Sequence, residues 1–169
     1  FDSAMTRVSA PVAQSGLSRA LRRREYALHY QPQFELRSGQ VCAVEALLRW
    51  QSPREGMRPA RDFVAAAEES GLIVDIGTWV LESACHQLAI WRDDGIPPVR
   101  LAINVSVQQL RLADFTALVR RSLERTGLPP GLLELEVTEA VFTQEQAQQT
   151  LRALAALGVR IALDDFGTG

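Results

Sequence analysis

From residue 41 to residue 163 the chain alternates short apolar runs with longer stretches of helical period, and this alternation limits the available folds more than any other feature. Apolar runs rich in β-branched and aliphatic side chains read as strands; they fall at residues 41–50, 100–105, 132–138 and 159–163. Helical stretches lie between them at 59–70, 74–93, 114–125 and 144–157, stopped in turn by Gly71, by Gly95 with Pro97-Pro98, by Gly127 with Pro129, and by Gly158. The 74–93 stretch carries Ile76, Val80, Leu81, Ala84, Leu88 and Trp91 on one face, a stripe that needs a sheet to cover. Strands alternating with helices predict an α/β fold built on a parallel sheet.

The chain begins differently. Residues 1–18 show no sustained period and read as a linker or the tail of an upstream domain, residues 17–26 as a short entry helix, and residues 27–34 as a strand. Only residues 35–40, with Arg37-Ser38-Gly39 as the turn, separate that strand from the next. A parallel pairing needs a crossover of about a dozen residues or more, so these two strands are expected to run antiparallel. Residues 52–58 read as a loop.

Polar residues stand where the apolar runs end. Glu45 and Arg49 lie in the 41–50 run, Asn104 closes the next, Glu136 is followed by Glu139, and the last runs into Asp164-Asp165. An ionised carboxylate in an apolar setting is costly unless it is paired or bound to a metal, so Glu45 is expected to coordinate something; a solvated Glu on a partly exposed strand is the alternative. Residues contributed by the ends of four strands favour a (β/α) barrel, where loops from every strand converge on one face, over a doubly wound sheet with a single switch point. Carboxylates and a carboxamide without Cys or His suit Mg²⁺, Mn²⁺ or Ca²⁺ rather than zinc. The adjacent Asp164 and Asp165 could address two metals, the arrangement that activates water against a phosphodiester, although a surface turn also explains such a pair.

The totals set outer bounds. A length of 169 residues is that of about one domain. No apolar run approaches the roughly 20 residues needed to span a bilayer, and no charged-then-apolar leader opens the sequence; the expected location is the cytoplasm, free or as the cytoplasmic part of a membrane protein. Cys42 and Cys85 match no metal or redox spacing and read as buried, reduced thiols. A formal net charge of -2 argues against wrapping long nucleic acid and leaves a small phosphorylated ligand open. The basic cluster Arg19, Arg22, Arg23 and Arg24 reads as a solvated helix face.

Over residues 21–169 the chain resembles the EAL domain, the bacterial cyclic di-GMP phosphodiesterase family. The motifs that carry the resemblance occur in the family's order: Tyr30-Gln31-Pro32-Gln33, Glu45-Ala46-Leu47-Leu48-Arg49-Trp50, Phe63, Gly71-Leu72-Ile73, Ile76-Gly77, Trp79-Val80-Leu81, Asn104-Val105-Ser106, Glu136-Val137-Thr138-Glu139 and Asp164-Asp165-Phe166-Gly167-Thr168-Gly169. The resemblance implies a modified TIM-type (β/α)8 barrel whose first strand is antiparallel to the rest, which agrees with the short turn at residues 37–39. It implies Glu45, Asn104, Glu136, Asp164 and Asp165 as ligands of a two-metal Mg²⁺ or Mn²⁺ site, with Asp165 turned to the second metal and Glu45, Asp164 and Asp165 serving catalysis. Gln31, Leu47 and Arg49 would contact the dinucleotide, and Glu139 would anchor the loop that begins at Phe166 and serves metal, substrate and dimerisation. The implied reaction is attack of metal-activated water on one phosphodiester, opening cyclic di-GMP to linear pGpG.

A barrel of this type takes about 250 residues, and five strands are counted here. The chain is therefore expected to be an EAL domain from residue 19 onward that is incomplete at its C-terminus, and the fragment alone is expected to be inactive. The missing units would carry a lysine near the catalytic water, another metal-binding glutamate and a substrate-binding glutamine. Phe1-Asp2-Ser3-Ala4-Met5 resembles the close of GGDEF cyclase domains, which implies an upstream GGDEF or sensor domain in the same polypeptide, and a homodimer is expected. Two other classes stay open: an inactive cyclic di-GMP receptor, and a barrel lyase whose carboxylates hold Mg²⁺ against an enolate.

Overall fold

The computed structural model describes residues 10–164. The short connection at residues 35–40 dictates the first step of the architecture. Strand β1 (Tyr26–Phe34) folds back antiparallel on β2 (Val41–Ser52), with Tyr26 opposite Trp50 and Gln31 opposite Glu45. The Gly39 N–H donates to the Glu35 carbonyl at 2.8 Å and the Glu35 N–H to that of Gln40 at 2.9 Å; Gly39 takes φ +68°, a left-handed conformation that costs glycine nothing.

From β2 onward the crossovers are helical and the pairing is parallel. The short strand β3 (Gly56–Pro59) and helices α2 (Val64–Glu69) and α3 (Ile73–Asp93) lead to β4 (Arg100–Asn104). Helices α4 (Val107–Leu110) and α5 (Phe115–Thr126) lead to β5 (Leu133–Val137), and α6 (Glu145–Ala156) leads to β6 (Arg160–Leu163). The sheet order is β1-β2-β4-β5-β6, with β3 antiparallel on the end of β2. Side chains alternate across a strand. Val44, Ala46, Leu101, Ile103, Leu133, Leu135 and Val137 accordingly form one core with Ile76, Val80, Leu81, Ala84 and Leu88 of α3, Phe115 and Val119 of α5, and Leu154 of α6. The opposite face receives Gln31, Glu45, Leu47, Arg49, Asn104, Glu134 and Glu136.

Helix α1 (Ala10–Arg22) starts well before residue 17, so the linker read at residues 1–18 ends inside an element, and Tyr26 belongs to β1 rather than to the helix. Pro11 and Gly16 obscured this helix. Proline is tolerated in a first turn, and Gly16 is buried with a Trp50 ring carbon 3.7 Å from where its Cβ would stand. The glycine allows close approach to an aromatic group in which the Tyr26, Trp50 and Phe63 rings lie 5.8–6.4 Å apart. Strand β3 falls where a loop was expected, making six strands among the described residues where five were expected. Its four residues have no pattern of their own; pairing with β2 makes them a strand, and the Arg58 guanidinium lies 5.3 Å from the Trp50 ring centroid. Both cysteines are free. Cys85 is buried, and burial first, then the nearby Glu82, pushes its thiol up to about 12; Cys42 is only half-buried, a departure from the expectation for both.

Arg24, exposed and just beyond α1, takes φ 57°. An L side chain in that region costs about 1–2 kcal/mol, a cost glycine avoids while losing more chain entropy on folding. Arg24→Gly is expected to stabilise the chain by about 0.5–1 kcal/mol in urea unfolding.

Candidate active site

Four strands deliver one polar side chain each to the same end of the sheet. Glu45 lies within β2, Asn104 closes β4, Glu136 lies one residue before the end of β5, and Asp164 follows β6 directly. In register they climb. Glu45 is level with Ala102, two residues before Asn104; Asn104 is level with Glu136; Glu136 is level with Ala162, two residues before Asp164. An average stagger near one residue per strand is the shear of an eight-stranded barrel of this type, in which tilted strands bring such a diagonal into one layer across the axis.

The contacts follow this geometry. Asn104 Nδ2 donates to Glu45 Oε1 at 3.0 Å across 59 residues of sequence. The strand ends are pinned by the backbone, with the Val105 N–H donating to the Glu136 carbonyl and the Asp164 N–H to that of Val137, each at 2.9 Å. Beside the row opens a groove of about 750 Å³ lined among others by Leu47, Asn104, Ser106, Glu136, Thr138 and Asp164. Glu45 is half-buried, on the face of β2 opposite Val44 and Ala46, which enter the helix-covered core. Desolvation first, and then the charges of Glu45, Asp164 and Glu134, push Glu136 up to about 7.

The other predicted residues are distributed around this row. Gln31 is exposed directly across from Glu45. Arg49 is half-buried; its Nη1 donates to the Leu48 carbonyl at 3.0 Å, and it makes no ion pair among the described residues. Glu139 opens the 3-10 turn Glu139–Thr143 beyond β5. Asp165, the loop from Phe166, and the cyclase-like residues 1–5 lie outside the described residues. Two features were missed. Glu134 shares the face of Glu136 and takes Arg160 Nε at 3.1 Å and Arg100 Nη1 at 3.4 Å on one oxygen; the alternation Leu133-Glu134-Leu135-Glu136-Val137 is a signal that could have found it. Ser106 and Gln109 form a capping box on α4, legible as Ser-x-x-Gln.

Oxygen donors alone suit a hard divalent cation, and like charges gathered on one face repel one another. Among the described residues, no three His, Cys, Asp or Glu side chains are already drawn together tightly enough to hold a metal ion. The Asn104 carboxamide stands beside Glu45 and donates to it.

A carboxyl raised in the folded state from its ordinary 4.5 to about 7 keeps the folded state the better proton binder between those values. Its contribution to stability is present at low pH and lost as pH rises through about 7. With chelator present, Glu136→Gln is expected to melt above the wild type at pH 8 and to lose that advantage by pH 5, as read by circular dichroism. An equal offset at both pH values would contradict the strain.

A family model described as "EAL domain" matches residues 14–169. The chain is 44% identical over 155 residues to the "Bifunctional diguanylate cyclase/cyclic di-GMP phosphodiesterase MucR" of Pseudomonas aeruginosa, covering 90% of this chain and 23% of that protein. It is 39% identical over 157 residues to the "Cyclic di-GMP phosphodiesterase PdeR" of Escherichia coli, covering 92% and 23%. The solved structure "PaMucR Phosphodiesterase, c-di-GMP complex" superposes with a TM-score of 0.87 at 42% identity, over 94% of this chain and 65% of that one. The chain spans about a fifth of the length of the curated relatives it matches. Among the described residues no helix is long and apolar enough to cross a membrane. With its antiparallel first strand, its staggered parallel sheet and a family match over nearly its whole length, the chain belongs to the EAL domain family.

Proposed function

We propose that this chain supplies the first part of the site of a divalent-metal-dependent phosphodiesterase that opens cyclic di-GMP to linear pGpG. The observation that carries the reading is the staggered row Glu45, Asn104, Glu136 and Asp164, in which Asn104 is already bonded to Glu45 at 3.0 Å beside the groove. Relatives whose names state cyclic di-GMP phosphodiesterase activity support the substrate.

Each residue has work to do in this reading. Glu45, Asn104, Glu136 and Asp164 offer oxygen ligands, and Asp165 serves a second cation. Mg²⁺ or Mn²⁺ bound there would neutralise the phosphodiester and lower the pKa of the attacking water. The Asn104 bond engages Glu45 Oε1, which would leave the other carboxylate oxygen to the cation. Until a cation arrives, Glu136 holds a proton up to about pH 7, which relieves its repulsion with Glu45 and Asp164. Arg49, without an ion pair among the described residues, has a guanidinium available for a phosphate oxygen in paired geometry. Gln31 and Leu47 flank the substrate on β1 and β2, and Glu139 anchors the following loop. The name of MucR, which joins a cyclase to a phosphodiesterase, supports an upstream GGDEF or sensor domain in the same polypeptide.

A second reading, a receptor that binds cyclic di-GMP without cleaving it, draws support from the lack of a tight three-carboxylate cluster among the described residues. Hydrolysis separates the two. In a polypeptide continued beyond Gly169 to the length of its solved relative, Mg²⁺- or Mn²⁺-dependent conversion to pGpG is expected, and Glu45→Ala is expected to lower it by more than about a hundredfold, beyond the loss typical of an outer-shell change. Binding without turnover would give the receptor reading. Asp165→Asn is expected to reduce kcat more than it weakens substrate binding; equal losses in both would remove it from the second-cation role.

A further inference from the structure

We propose that Gln109 is a positioning residue for this site: wedged against Gly77 and bonded to Ser106, it locks the chain leaving β4 and so holds Asn104 on Glu45. The inference rests on the reading of the Glu45–Asp164 row as a divalent-cation site.

Glycine inside a helix costs about 1 kcal/mol relative to alanine, and Gly77 lies in the first third of the 21-residue α3. It has no positive φ to justify it. Its reason is space, because a Cβ there would overlap the Gln109 carboxamide. Gln109 is 3% exposed. Its Oε1 accepts from the Ser106 N–H at 3.1 Å and from Ser106 Oγ at 3.3 Å, and its own N–H donates to Ser106 Oγ at 3.3 Å. The capping box is thus closed by a side chain that the neighbouring helix has been hollowed to receive.

Ser106 stands two residues after Asn104, and the segment around it is tied at several points. The Asn104 carboxamide bonds Glu45, the Val105 N–H bonds the Glu136 carbonyl, and Gln108 Nε2 donates to the Glu68 carbonyl of α2 at 2.8 Å. Asn104 is exposed to the groove and its side chain is held by the bond to Glu45. Its aim therefore depends on the backbone that carries it, and Gln109 is the buried end of that backbone's anchorage. Loss of an outer-shell contact of this kind typically weakens metal binding by about 10–100-fold.

The test compares the wild type with Gly77→Ala, which expels the carboxamide, Gln109→Leu, which keeps the bulk and removes the acceptor, and the double variant Gly77→Ala/Gln109→Ala. Three quantities are read: the melting temperature, the Mn²⁺ dissociation constant, and, with chelator present, the NMR shift of the Asn104 Nδ2 protons. The wild type is expected to show one Nδ2 proton displaced downfield by its bond to Glu45. Both single variants are expected to return it to the free-amide position and to weaken Mn²⁺ binding about tenfold. The double variant is expected to be no worse than the poorer single, because each change removes the same wedge. Variants that melt lower yet keep the Asn104 shift and the Mn²⁺ affinity would overturn the proposal, as would additive losses in the double variant. Should Gly77→Ala not fold, Gln109→Asn, one carbon shorter, is read by the same criteria. If the wild type takes up no Mn²⁺, the cation reading fails, and the Asn104 shift alone then decides the positioning role.

Discussion

Every strand here has to satisfy two solvents at once, and the two-residue alternation of side chains is what makes that possible. In β4, Leu101 and Ile103 enter the core under α3 while Ala102 and Asn104 turn the other way; in β5, Leu133, Leu135 and Val137 enter it while Glu134 and Glu136 turn away. A register slip of one residue would exchange the two sets and bury the carboxylates under the helices. The helix layer therefore fixes the site indirectly. Packing against Ile76, Val80 and Ala84 sets the register, and register sets which polar residues meet.

Charge is layered on the polar face of the sheet. Glu134, with Arg100 and Arg160 on one of its oxygens, lies toward the start of the parallel strands, and Glu45, Glu136 and Asp164 lie toward their ends. The lower carboxylate is compensated by two guanidiniums; in the upper group the Asn104 amide donates to Glu45. Glu136 records the imbalance in its raised proton affinity.

The broad architecture was legible because it depends on local signals. The glycines at 71, 95, 127 and 158 take positive φ where helices were expected to stop, and the six residues between β1 and β2 were too few for a parallel crossover. The row Glu45, Asn104, Glu136 and Asp164 was legible for the same reason, since strand ends could be placed to within a residue or two. What escaped depends on tertiary partners. Residues 10–16 read as linker because Pro11 and Gly16 break a pattern that the Trp50 ring restores, and β3 is a strand only because β2 offers it an edge. The pairing of Glu134 with Arg100 and Arg160 joins residues 34 and 26 positions apart, and the fit of Gln109 to Gly77 joins two helices; neither distance is written in a local pattern.

The central question is whether the staggered row Glu45, Asn104, Glu136 and Asp164 binds a divalent cation. The most direct measurement is an anomalous difference map from crystals of the protein grown with Mn²⁺. A peak is expected at coordination distance, about 2.0–2.6 Å, from oxygens of Glu45, Asn104, Glu136 and Asp164. Crystals that hold Mn²⁺ elsewhere, or leave this row without a peak at saturating ion, would contradict it.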